Sequence, residues 1–153
     1  MILFSVIFAT SAVVSYRTFF STNQLLIATD RVENALRYAR MMAITLHTTI
    51  LFCARNADDQ CGSNWQQGQL VMNENTNQVL RYFPSWTYPY RLLWRSTLGE
   101  SDALAWRSTG FTRGQQGSFF VCAQDPTSLS AQIIILRTGR LRSTTGYFSA
   151  CKS

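Results

Sequence analysis

The sequence contains little lysine and few acidic residues. Its 153 residues include 14 basic and 8 acidic side chains, which gives a formal net charge of +6. Lys152 is the single lysine, so the other 13 basic residues are arginines, whose planar guanidinium groups hold phosphates and carboxylates with two parallel hydrogen bonds. Residues 103–153 hold six of the basic residues and one acid, Asp125. This uneven charge indicates either a polyanionic partner, such as nucleic acid or an anionic membrane surface, or an ordinary solvated surface.

The motifs of the common enzyme classes are also missing. The chain has one histidine, His47, and it lacks a glycine-rich phosphate loop, a pair of catalytic carboxylates and the residue order of a catalytic triad. Because His47 follows a predicted helix, we interpret it as a helix cap or a surface residue. The sequence therefore predicts a protein that is not an enzyme and needs no cofactor.

The scarcity of histidine also limits what the cysteines can do. The four cysteines are Cys53, Cys61, Cys122 and Cys151. Their spacings, C-x7-C and C-x28-C, are not those of zinc sites, so we expect no metal. An even number of cysteines favours two disulfides in an oxidising compartment, with free thiols as the alternative. Four cysteines allow three pairings, and the count does not choose among them.

Glycine and proline are absent before Gly62, so neither residue interrupts a helix in the first third of the chain. Residues 1–14 are apolar apart from small hydroxyl side chains. As a helix they extend ~21 Å, which is short of the ~30 Å hydrocarbon core of a bilayer. They also lack the basic flank of a cleaved signal peptide. We consider two interpretations, the later part of a longer apolar helix or a weak signal sequence.

An amphipathic helix is predicted over residues 21–46. Its apolar residues recur at intervals of three, four and seven, and they are Leu25, Val32, Leu36, Ala39, Ala43 and Leu46. This stripe is typical of a helix that packs one face on a core. The apolar start and the amphipathic stretch can form one continuous helix.

Short strands are predicted after the helix. Segments rich in β-branched and aromatic residues are separated by turn-forming residues. The predicted strands are 48–53, 69–72, 79–83, 90–95, 103–106, 118–122 and 131–136. A long helix followed by a run of strands predicts an α+β fold, in which a small antiparallel sheet packs on the amphipathic half of the helix.

Several stretches of the sequence follow a family pattern. They are V-E-N-A-L-R-Y-A-R-M-M-A-I at 32–44, T-I-L-F-C-A-R-N-A-D-D-Q-C at 49–61, G-S-F-F-V-C at 117–122 and I-I-I-L-R-T-G-R-L-R at 133–142. They resemble the helix end, the first strand with its disulfide loop and the last two long strands of type IV pilins and pseudopilins. The closer similarity is to FimT-type minor pilins and H-type pseudopilins of type II secretion. It implies an apolar segment for the membrane or filament core at 1–20, an amphipathic helix at 21–47 and a β-rich domain at 48–153.

The resemblance also implies processing, location and cysteine pairing. The sequence opens within what would be the apolar helix and does not contain the family's G-F-x-x-x-E cleavage motif, so we expect a start upstream with a basic leader. Such proteins span the inner membrane once, face the periplasm, and then join other pilins or pseudopilins in an extracellular pilus. The implied disulfides are Cys53–Cys61 and Cys122–Cys151.

Three arginines follow the apolar run near the carboxyl end. In an extended strand Arg140 and Arg142 would share a face roughly 7 Å apart, close to the spacing of successive phosphates on one DNA strand, with Leu141 turned to the core. Gly139 permits a turn and the close approach of another backbone or of a phosphate. In FimT-type pilins the G-R-x-R motif is associated with DNA capture during natural transformation. The resemblance therefore implies sequence-independent DNA binding, and the predicted contacts are Arg137, Gly139, Arg140, Arg142, Ser143 and Lys152.

Three alternatives compete with DNA binding. Arginines at a sheet edge can simply discourage aggregation. They can also pair with carboxylates of neighbouring subunits, in an H-type pseudopilin or an assembly-priming minor pilin with a purely structural role. A secreted soluble β domain with a cleaved signal is the third alternative.

Overall fold

The helix of this protein is longer than its amphipathic part. The structure, a computed structural model, describes residues 2–87, 89–97 and 102–152, and for residues 2–18 it describes the backbone alone. Helix α1 spans Ile2–Thr45, so the apolar start and the amphipathic stretch are continuous. In the described part of the chain, no helix combines the length and the apolar character needed to cross a membrane.

The amphipathic part of α1 packs much as its apolar stripe predicts. Leu25, Val32, Leu36, Ala39 and Ala43 are all buried. The prediction is wrong for Leu46, which is exposed. Because α1 ends at Thr45 and His47 has a φ of +49°, the chain leaves the helix axis before Leu46 can reach the core.

The strands form two antiparallel sheets where the sequence analysis expected one. The strands are β1 (Ile50–Arg55), β2 (Cys61–Gly62), β3 (Gln69–Asn73), β4 (Val79–Phe83), β5 (Tyr90–Ser96), β6 (Ala103–Trp106), β7 (Gly117–Ala123), β8 (Ser130–Ile135) and β9 (Leu141–Gly146). The first sheet has the order β2-β1-β3-β4, with β6 also paired to β1, and the second sheet has the order β5-β7-β8-β9. Strand periodicity predicts which side chains are buried, but it does not predict which strands pair.

One core joins the helix to both sheets. Helix α1 packs against β1 and β6 of the first sheet and against β7 and β8 of the second. Between the sheets, the ring centroid of Phe119 lies 5.6 Å from that of Phe52 and 4.9 Å from that of Trp65. The two sheets are therefore separate in their hydrogen bonding but share one hydrophobic core.

The last strand was not among those predicted from composition, although residues 140–142 were expected to be extended. After β8 the chain turns and returns as β9, which pairs with β8 from Ile135 opposite Leu141 to Ser130 opposite Gly146. The segment L-R-S-T-T-G has one large apolar residue, so its composition does not indicate a strand. It is stable there as an edge strand, because such a strand needs little burial when its partner supplies the hydrogen bonds.

Both disulfides implied by the family resemblance are present. Cys53 in β1 is bonded to Cys61 in β2, and their Cα atoms are 5.5 Å apart. Cys122 in β7 is bonded to Cys151, with a Cα separation of 5.4 Å. The second bond holds the tail, residues 147–152, against the second sheet.

Candidate functional site

The predicted arginines lie on one hairpin. We define the C-terminal hairpin as β8, the loop of residues 136–140 and β9. In the loop, the backbone N–H of Gly139 donates to the Leu136 carbonyl at 2.8 Å, and the N–H of Leu136 donates to the Arg140 carbonyl at 3.0 Å. Gly139 has a φ of +80°. The Leu136–Arg140 pair thus closes a turn of three residues, 137–139. A three-residue hairpin turn that ends in a left-handed residue has this pattern, and glycine adopts that conformation without strain.

The loop is held in place by the rest of the protein. Gly139 is buried, and a Cβ atom added to it would lie 2.2 Å from the Gly110 carbonyl oxygen. The Arg137 carbonyl accepts a hydrogen bond from the N–H of Thr112 at 3.1 Å. The close approach that Gly139 allows is therefore made by another backbone, that of Gly110.

Arg40 connects this loop to α1, and the sequence analysis did not single it out. Its Nη1 donates to the Gly139 carbonyl at 3.1 Å, and its Nε donates to the Gly110 carbonyl at 3.0 Å. Hydrogen bonds from a guanidinium to part-buried carbonyls are among the stronger ones in proteins. The only signal for Arg40 in the sequence is its place in the A-L-R-Y-A-R stretch, which does not say what it contacts.

Arg140 and Arg142 share a face, as strand alternation predicts. Arg142 is directly opposite Ile134 in β8, and Arg140 stands two residues earlier at the end of the loop. Both side chains are exposed, whereas Leu141 between them packs against the core. Arg137 is exposed in the same loop. The hairpin thus brings three arginines to one edge of the second sheet.

Two other predicted residues do not join this group. Ser143 is opposite the fully buried Ile133, so it lies on the other face of β9 from Arg142. Lys152 lines a cavity together with Asp125, Ser130 and Tyr147, which lie at the far end of the hairpin. Five strand steps separate the two ends, about 17 Å.

The acid beside Lys152 is anionic. The backbone N–H and the hydroxyl of Thr127 both donate to the Asp125 carboxylate, and these hydrogen bonds lower the pKa of Asp125 from its usual value. Asp125 lines the same cavity as Lys152, whereas the three hairpin arginines have no carboxylate partner in the described part of the chain.

The hairpin arginines have no carboxylate partner among the described residues. The ion pairs in that part of the chain are Arg37–Glu33, Arg55–Asp59 and Arg113–Glu74. Arg137, Arg140 and Arg142 project from the surface outside these pairs, so their charges are available to an external anion. Such a group recognises phosphate charge and carries no information about base sequence.

The scaffold behind the hairpin matches a known family. The family model described as Type II transport protein GspH matches residues 28–139. The chain belongs to this family. The match runs from the middle of α1 to Gly139, so it covers the scaffold and stops before Arg140 and Arg142.

The GspH-type fold is shared with solved minor pilins. Two crystal structures of the type IV minor pilin FimU from Pseudomonas aeruginosa (strain PAO1) are similar to the chain. In space group P65 the TM-score is 0.61 at 18% identity, covering 78% of this chain and 92% of FimU. In space group P21 the TM-score is 0.63 at 19% identity, covering 81% and 90%. Comparison with curated protein sequences found no significant match.

The chain is therefore a member of the GspH family with the fold of the minor pilin FimU, which confirms the resemblance drawn from the sequence motifs. The α+β, pilin-like fold is confirmed as well. At these identities the likeness to FimU concerns the fold alone.

Proposed function

We propose that this minor pilin binds DNA through the arginines of its C-terminal hairpin and so captures DNA for uptake in natural transformation. The observation that supports this most is the exposed pair Arg140 and Arg142 on one face, without a carboxylate partner among the described residues. Arg137 extends the group into the loop. The backbone hydrogen bonds of that loop and those donated by Arg40 hold the backbone that carries the three arginines, so the loop itself need not become ordered on binding.

Binding of this kind depends on salt and not on sequence. Each neutralised phosphate releases condensed counterions, so the logarithm of the affinity falls with the logarithm of salt concentration by ~0.9 per contact. Four contacts, with Lys152 included, give a slope of about −3.6, and the three hairpin arginines alone give about −2.7. Because Lys152 lies at the other end of the hairpin, we expect the hairpin itself to contribute the smaller value, and any contact elsewhere on the sheet adds ~0.9 to it.

The test is fluorescence anisotropy of a labelled mixed-sequence duplex, titrated with the purified full chain in a non-ionic detergent. Wild-type protein should bind in dilute buffer, and the Arg140→Gln/Arg142→Gln variant should lose most of the affinity and ~1.8 of the salt slope, as for two lost phosphate contacts. Arg37→Gln is the control, since it removes one positive charge from the exposed face of α1. If wild-type protein does not raise the anisotropy of the duplex even at low salt, the proposal is contradicted.

A structural role is the second candidate, and one observation favours it. Outside its packed stripe, α1 exposes large apolar residues, among them Phe19, Leu26, Ile27, Met41 and Ile44. A helix that is apolar on more than one side is usually buried. In this alternative the chain is an H-type pseudopilin or an assembly-priming minor pilin, and the arginines pair with carboxylates of adjacent subunits.

The two candidates predict different phenotypes. Under both, the chain is held in the inner membrane by its first helix before assembly, with its β domain in the periplasm and later on the extracellular filament. If the Arg140→Gln/Arg142→Gln cells assemble pili but take up no DNA, the first candidate holds. If the variant binds DNA as wild type does and the pili are lost, the second holds.

A further inference from the structure

We propose that Arg95, on β5, is a second anchor for DNA and that the DNA backbone crosses the outer face of the second sheet from Arg142 to Arg95. The outer face is the side turned away from α1, and its two rows nearest the loop are Thr97, Gln116, Leu136 and Arg140, then Arg95, Ser118, Ile134 and Arg142. This inference rests on the proposed DNA-binding function and extends the site across the sheet.

Strand register puts Arg95 and Arg142 in one row. Arg95 is directly opposite Ser118, Ser118 is opposite Ile134, and Ile134 is opposite Arg142. Directly opposed residues in antiparallel strands project from the same face. The neighbouring row confirms which face this is, because Trp94, Phe119 and Ile133 point into the core. Arg95 is exposed, like Arg142.

The separation of the two arginines suits a polynucleotide backbone. Three strand spacings of ~4.8 Å place their Cα atoms about 14 Å apart, twice the spacing of successive phosphates in one strand. The side chains between the two arginines in this row, Ser118 and Ile134, are uncharged. The Ser118 hydroxyl accepts a hydrogen bond from Gln132 Nε2 at 2.9 Å. A phosphate between the two anchors would therefore lie over one hydroxyl side chain, Ser118, and one apolar side chain, Ile134.

The tail restricts the path to this end of the sheet. The Phe148 ring lies over Phe120, with centroids 5.6 Å apart, and Cys151 is bonded to Cys122 on the same face. Arg91, farther along β5, donates from its guanidinium to the Cys151 carbonyl at 2.8 Å. A DNA backbone that ran parallel to the β-strands would meet this tail. A DNA backbone that crossed the β-strands, between Arg142 and Arg95, would not.

The carboxylate of Asp102 shares a groove with Arg95. Asp102 lines the groove beside β5 together with Arg91 and Arg95. It forms no ion pair with Arg95 in the described part of the chain. The row that joins Arg95 to Arg142 consists of Ser118 and Ile134 and contains no carboxylate.

The experiment compares Arg95→Gln, Arg95→Lys and Arg37→Gln in the full chain by duplex-DNA anisotropy from about 50 to about 200 mM salt. We expect Arg95→Gln to weaken binding about fivefold and to reduce the salt slope by ~0.9, as for one lost phosphate contact. Arg95→Lys retains the charge and should keep the wild-type slope, and Arg37→Gln should match wild type. Circular dichroism of each variant checks the fold.

Two results overturn the inference in different ways. If Arg95→Gln binds as Arg37→Gln does while Arg140→Gln/Arg142→Gln loses binding, Arg95 makes no contact, and the proposed function stands without it. If none of these variants changes the affinity of the chain, the proposed function fails and the inference fails with it.

Discussion

Two glycines determine how the loops under the arginines fit together. Gly139 ends the loop after β8, and Gly110 ends the loop after β6. Both loops have the same pair of backbone hydrogen bonds and a glycine at positive φ, +80° at Gly139 and +77° at Gly110. They come from different sheets and meet at their tips, where Arg40 donates to both glycine carbonyls. This contact positions the backbone that carries the Arg137 and Arg140 side chains.

At the residue scale, Gly139→Ala and Gly114→Ala form a matched pair. Both glycines have a left-handed φ, but a Cβ atom at Gly114 meets nothing within 4 Å, whereas at Gly139 it meets the Gly110 oxygen. We expect Gly114→Ala to lower the free energy of unfolding by about 1 kcal/mol, from backbone strain alone. Gly139→Ala should lower it by about 3 kcal/mol or more, because the loops must also separate. Urea unfolding measures both, and equal losses would contradict this account of the contact.

At the element scale, the tail is an addition to the second sheet and is held by one covalent bond. Tail residue Phe148 covers Phe120, and the Cys122–Cys151 bond closes a loop with a sequence separation of 29. Closing a loop of this size stabilises the folded state by about 3 kcal/mol through the entropy of the unfolded chain. The other contacts of the tail are few: the Phe148 ring on Phe120 and the hydrogen bond from Arg91 to the Cys151 carbonyl are the main ones among the described residues.

Replacing both cysteines of that bond with serine should therefore free the tail without unfolding the domain. We expect chymotrypsin to cleave the Cys122→Ser/Cys151→Ser variant after Tyr147 or Phe148 under conditions in which wild type is resistant. The Cys53→Ser/Cys61→Ser variant is the control, because it loses a disulfide in the other sheet. Mass spectrometry of the digests identifies the cleavage sites. Equal resistance of the tail in all three proteins would mean that packing, and not the disulfide, holds it.

At the scale of the whole molecule, α1 has two apolar surfaces, one buried in the core and one exposed. Leu36 is fully buried in the shared core, whereas Ile27 is 70% exposed. We expect Leu36→Ala to lower the free energy of unfolding by about 2–5 kcal/mol, because it leaves a cavity. Ile27→Gln should change it by less than about 0.5 kcal/mol.

The same two variants test assembly. If α1 packs against other pilins, Ile27→Gln should lower the amount of protein in sheared pili while the purified chain keeps its stability. Immunoblots measure the amount of protein in the pilus fraction, and urea unfolding measures the stability of the purified chain. An Ile27→Gln protein that enters pili at the wild-type level would show that this surface of α1 is not a filament contact.

Several features were determined by the sequence alone. The lack of glycine and proline before Gly62 allowed one helix, and the spacing of Leu25, Val32 and Leu36 identified its buried face. These signals are local: they depend on side chains within two turns of each other, so no knowledge of the fold is needed to interpret them. The alternation of Arg140, Leu141 and Arg142 is local in the same sense.

Other features were decided only by the tertiary structure. That Gly110 approaches Gly139, that Arg40 joins them, and that Arg95 falls in the same row as Arg142 all depend on contacts between residues 8 to 99 positions apart in the chain. Strand pairing is set by the sum of many packing contacts across the two sheets, and no single stretch of sequence contains that sum. The strand β9 was missed for the same reason, since its stability comes from β8 and not from its own composition.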